Sequence, residues 1–148
     1  MPWTNRGKQR NLEVWVGGGT VPTNLYVALL TSATAVGPDI VTMSSVTEVG
    51  TGTGYTQRGF QLTPGATDFD VISINDPSDF AFAQIKDVSW TASGGQLPNG
   101  NSARYAALTD DNATPSAAEI YMGWDLGSDR AVSDTQTLTL QNLEFRIT

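Results

Sequence analysis

TEVGTGTGYTQRGF, residues 47–60, alternates three glycines with threonines between a short apolar run and an aromatic one. Such a stretch suits a loop that cradles phosphate with its backbone N–H groups, or a turn. A phosphate loop sets its glycines between a strand and a following helix, whose N-terminus holds the anion. Gly50, Gly52 and Gly54 lack the dinucleotide-binding spacing, and no helical pattern comes after them. The residues that follow alternate with a period of two: Tyr55, Gln57, Gly59 and Gln61 fall on one face, and Thr56, Arg58, Phe60 and Leu62 on the other. The stretch therefore reads as a glycine turn feeding a β-strand, with no phosphate site.

Outward from this point the chain is a series of strand patterns. NLYVALLT (24–31) is apolar on both faces and is expected to be a central strand. A long connection, 32–45, carries the turn signal Gly37-Pro38. FDVISI (69–74) ends in the turn residues 75–79, and residues 80–90 form one bent strand or two. RYAALT (104–109) and AEIYMGWDL (118–126) follow, separated by the turn 110–116, and 93–101 is a loop rich in Gly, Asn and Pro. In QTLTLQNLEFRI the alternation of Leu138 and Leu140 resumes out of phase at Leu143, Phe145 and Ile147, which predicts a β-bulge near Gln141 or Asn142. Short strands at this density predict an all-β fold, a two-sheet β-sandwich of Greek-key or jelly-roll type.

The N-terminal segment differs. Thr4 or Asn5 is placed to cap a short helix through residues 6–16, with Leu12, Trp15 and Val16 spaced to form one apolar face, and Gly17, Gly18 and Gly19 stop it. The expected organisation is a basic arm with a short helix over residues 1–19 and a β-sandwich domain over 20–148. Arg6, Lys8 and Arg10 lie in the first ten residues, which hold no acid, leaving five basic and fifteen acidic groups, a net of −10, to the other 138. An acidic body repels a phosphate backbone, so nucleic acid is not an expected partner. Trp3 has no sequence-local core to enter and is expected at an interface, with the arm held down from Met1 onward, whereas Trp90 and Trp124 lie in strand patterns and are expected in the core.

Chemistry is limited by what is missing. The 148 residues suit one domain and contain no cysteine and no histidine. That removes the thiolate nucleophile, the disulfide, and the side chain that most often moves protons near neutral pH. Asp110, Asp111 and Asn112 offer oxygen ligands, but Tyr121 stands where a twelve-residue calcium loop needs its bidentate glutamate. Asp68, Asp70, Asp76 and Asp79 fit turn chemistry. No catalytic, cofactor or metal site is expected, no run approaches the roughly 20 apolar residues of a membrane span, and the start lacks the apolar region of a secretory signal.

Several segments in order, MPWTNRGK, NLYVALLTSATA, TEVGTGTGYTQRGFQL, ARYAALTDDN and SDTQTLTLQNLEFRI, resemble small virion structural proteins of tailed bacteriophages. The resemblance spans nearly the whole chain and implies a place in a particle more than any reaction. It implies first a capsid decoration, or cement, protein on the outer capsid surface, a homotrimer bridging subunits of the major capsid protein. The contact residues expected on that reading are Trp3, Arg6, Lys8, Arg10 and Trp15. The alternative is a tail, fibre or baseplate component that touches a host receptor through loops 93–101 and 110–116. A third class, a small sugar-active enzyme, would need two carboxylates facing one cleft, and the sequence singles out no such pair.

Overall fold

Leu25 to Leu30 form β1, and its last four residues are fully buried because both faces of the strand are covered. In the computed structural model, which describes residues 3–148, β1 lies inside an antiparallel sheet of order β2-β1-β6-β7, with β2 at Phe60–Leu62, β6 at Ala103–Thr109 and β7 at Ile120–Arg130. Met1 and Pro2 lie outside the described residues, and with them the expectation placed on Met1. One face of this sheet, carrying Val27, Leu29, Ala106, Leu108 and Met122, enters the main core. The other, carrying Ala28, Leu30, Ala107 and Ile120, is covered by Val36, Met43, Ile40 and Val46 of the long 31–46 connection. That connection is a lid over the sheet, which is why the strand is apolar on both sides.

The opposite wall of the main core comes from two smaller antiparallel sheets. One has the order β3-β4-β9, with β3 at Phe69–Asn75, β4 at Phe80–Ile85 and β9 at Glu144–Ile147. The other pairs β5 (Val88–Thr91) with β8 (Thr137–Leu140). Residues 80–90 are thus two strands. The bulge expected near Gln141 is absent: Gln84 faces Glu144 and Val88 faces Leu140, so the same register continues across a break of three residues on each side. Both strands change phase together, Ile85 to Val88 and Leu140 to Leu143, and all four of these side chains stay buried. A corner in a paired ribbon accounts for the phase change that resembled an inserted residue. Asn142, at φ 56°, and the side-chain bonds Gln84–Asn142 and Gln141–Asp87 hold the corner. Among the described residues β-strand is the dominant regular structure, with one α-helix and antiparallel pairing throughout the named strands, and the layers are sandwich-like.

The 47–60 stretch is a turn, but the strand expected from Tyr55 starts only at Phe60. Arg58 and Gly59 have φ of 76° and 77°, which no strand accommodates. Tyr55 instead plugs the core: its ring lies 5.9 Å from that of Trp90, its hydroxyl donates to Glu48 Oε1 (2.8 Å), and it accepts from the Leu29 N–H (2.9 Å). Glu48 Oε1 also accepts from the Arg58 N–H, at 2.5 Å, so one carboxylate ties the turn to β1. The turn is stitched to loop 93–101 as well, through Thr53 Oγ1 to the Gln96 carbonyl (2.7 Å) and Asn99 Nδ2 to the Thr51 carbonyl (3.2 Å).

Burial raises the Glu48 carboxyl above its ordinary range, more than the bonds from Tyr55 and Arg58 lower it. The folded chain therefore binds this proton more tightly than the unfolded chain does. Its stabilising effect is complete below the ordinary carboxyl pKa and is lost as pH rises through the folded value. Glu48→Gln keeps an acceptor and removes the titration. Urea unfolding at pH 4 and pH 7 should show the variant gaining on the wild type as pH rises; an identical difference at both pH values would show the carboxyl to be unperturbed.

Candidate functional site

Asn5–Val16 form α1, started by Thr4, whose side-chain oxygen accepts from the Gly7 N–H at 2.9 Å. Thr4 is fully buried, its N–H and hydroxyl donating to carbonyls of β7. Gly7 is the only fully buried residue of the helix, and a Cβ on it would lie 2.2 Å from the Tyr121 carbonyl oxygen. The absent side chain lets α1 lie on β7. Arg6 Nη1 meets Glu13 Oε1 and Arg6 Nε meets Glu119 Oε1, both at 2.8 Å, while Arg10 reaches Glu13 at 3.3 Å. The Arg6 hydrogen bond holds the Glu13 carboxyl below its usual range, and Glu13 and Glu119 in turn hold Arg6 charged. The helix is in this way joined to the 20–148 body.

The apolar face predicted on the helix points away from the protein. Leu12 is 64 % exposed, Trp15 83 % and Val16 82 %. A helix on a soluble body normally buries such a face and wets its charged one. Beside it the β3-β4-β9 sheet extends past the core. Cross-strand partners share a face, so Ile74, Ala81 and Ile147 form one row on it and Ile72, Ala83 and Phe145 the next. Small alanines between larger side chains make a trough, with about 440 Å³ of open space, walled by Trp15 and Phe69 and floored by Ala81 and Ala83. Ile72 is 83 % exposed, Ile74 67 % and Ile147 52 %.

The contact residues expected from sequence fall into different environments. Trp3 is half-buried: it bridges to Met122, stacks edge-on against Phe145 at 5.9 Å and donates from Nε1 to the Arg146 carbonyl, so it forms a seam between the large sheet and β9. Arg6 and Arg10 are engaged within the chain, as described. Lys8 is exposed at the rim of the grooves around Trp3 and Arg146. Trp15 stands in the uncovered face. Sequence reading missed Ile72, Ile74 and Ile147; the signal was present in the alternation of FDVISI, which leaves isoleucines on one face, but strand spacing does not tell which strand ends beyond the core. Trp90 is buried, and Trp124 is half-buried against the core, donating to the Glu144 carbonyl.

The acidic loops serve the backbone. Asp110 accepts from the Asn112 and Glu119 N–H groups, Asp111 from Asn24 and Asp68 from Thr63. Among the described residues no three acids gather where they could hold a metal ion, and no helix is long and apolar enough to cross a membrane. What this surface offers chemically is desolvation of apolar area, which suits a protein partner. Compared with protein families, with curated proteins and with solved structures, the chain gives no match.

Proposed function

We propose that this chain is a virion structural protein of a tailed bacteriophage, a capsid decoration protein. Its body, a β-sandwich of Greek-key or jelly-roll type, bridges and stabilises major capsid protein subunits on the outer capsid surface. The observation that carries the reading is the uncovered apolar face of α1 and the β3-β4-β9 sheet, together with the ordered sequence resemblance. A subunit that leaves Trp15, Ile72 and Ile147 in water is completed by assembly, and many weak copies on a lattice act together by avidity. The cationic anchor drawn from sequence changes character here. Arg6 and Arg10 are neutralised by Glu13 and Glu119, so assembly relies on apolar contact more than on the charge of the first ten residues.

The number of copies per particle tests this reading. Quantitative mass spectrometry of purified virions should give a ratio to the major capsid protein near one. A ratio of a few per hundred would overturn it in favour of a tail, fibre or baseplate component that contacts the host receptor.

A further inference from the structure

We infer that the uncovered face of α1 and the β3-β4-β9 sheet is where one copy of this chain meets a second copy, across a twofold contact centred on the edge strand β3. The inference rests on the reading of the chain as an assembling subunit and names the partner of its apolar face.

Size is the first argument. Leu12, Trp15, Val16, Ile72, Ile74 and Ile147 are each more than half exposed. With 150–250 Å² for a large aromatic side chain and somewhat less for each aliphatic one, they present on the order of 700 Å² of apolar surface. The largest patch on a typical monomer is about 300–600 Å², whereas each partner in a specific interface buries about 800 Å². The patch therefore approaches what one side of a stable dimer contributes, and pairing of two β3 edges, which leaves both apolar faces on one side of the joined sheet, covers the part of it nearest that edge, Ile72, Ile74 and Trp15. Trp15 and Ile72 line a single trough, so the surface is continuous between helix and sheet.

Strand chemistry is the second argument, and it selects the occupant. β3 lies at the edge of its sheet, with pairing on one side only. Edge strands that must stay single carry a lysine, a proline or an inward charge. β3 carries Asp70 and a register irregularity between Phe69 and Val71 at its start, but Val71, Ile72, Ser73 and Ile74 beyond them have no charge and no proline, so this part of the free edge invites a further strand. Antiparallel pairing with the β3 of a second copy about Ser73 sets Ile72 of each copy opposite Ile74 of the other, and a twofold contact requires such self-complementarity. The apolar rows then run from one copy into the next without a change of chemistry. At each end of that pairing Asp70 of one copy faces Asp76 of the other, which follows directly after β3, and Lys86 lies 3.8 Å from Asp70. Association is therefore apolar against a like-charge background, and added salt strengthens it by screening. The contact produces a dimer where the resemblance implied a trimer.

Sedimentation equilibrium and light scattering on the purified full chain, at tens of micromolar, test the inference without any particle. The expected result is twice the chain mass, retained or tightened as salt rises. Ile72→Asp combined with Ile74→Asp, which sets like charges opposite each other across the twofold, should return the monomer, and so should Trp15→Lys on the helix, with the circular dichroism spectrum unchanged because all three positions are exposed. A wild-type monomer at every concentration, or a trimer, overturns the inference, as does a variant that remains dimeric. A monomer that still occurs at one copy per major capsid protein in virions would overturn this inference alone and leave the virion reading standing.

Discussion

Gly54→Ala is expected to destabilise the protein by about 3 kcal/mol or more, adding left-handed backbone strain to overpacking against main chain. Gly54 sits at φ 101°, and a Cβ there would lie 2.1 Å from the Thr91 carbonyl oxygen and 3.1 Å from the Leu97 side chain. Neither the turn nor the end of β5 can move without disturbing the stitches to loop 93–101. Gly37→Ala is the matched control, since Gly37 has no atom within 4 Å of its would-be Cβ and is not in the left-handed region. It should change stability by less than about 0.5 kcal/mol. Urea titration of the two variants checks the contrast. Equal midpoints would mean that the 50–54 turn does not approach β5 as described, and the account of the TGTG repeat would fail with it.

The second large effect is expected at Gly7. Gly7→Ala places a methyl group 2.2 Å from the Tyr121 carbonyl oxygen, so α1 must lift off β7. Lifting it separates Arg6 from Glu119 and withdraws the Thr4 bonds to β7, for a loss of about 2–3 kcal/mol from overpacking and broken polar contacts. Because the helix is held mainly by this docking, the damage should be local. Hydrogen exchange should rise through residues 5–16 while the amides of β1 and β6 keep their protection. Protection in the helix equal to the wild type would show that close approach to Tyr121 is not what seats α1. The substitution also bears on assembly, since a displaced helix no longer presents Leu12, Trp15 and Val16 beside the trough.

The two sites show which features a linear reading could reach. The glycine repeat was legible as a turn because no helix pattern follows it, and the strand at 24–31 was legible as central because every face of it is apolar. The alternation that continues through Tyr55 predicts a strand there. The actual place of Tyr55 depends on Glu48, Leu29 and Trp90, which come together only when the turn folds back on β1. The corner at residues 86–87 and 141–143 looked like a bulge, since one strand alone reveals a phase change but not that its partner changes phase at the same point.

For the candidate site the division follows the same physics. Spacing along the chain specified that Leu12, Trp15 and Val16 share a side of a helix, and that Ile72 and Ile74 share a side of a strand, because periodicity is a local property of the backbone. Whether such a side meets core or water depends on what lies across from it. Gly7 against Tyr121, Arg6 against Glu119, and Trp3 against Phe145 are contacts between residues more than a hundred positions apart, and they turn the polar side of α1 inward and leave its apolar side uncovered.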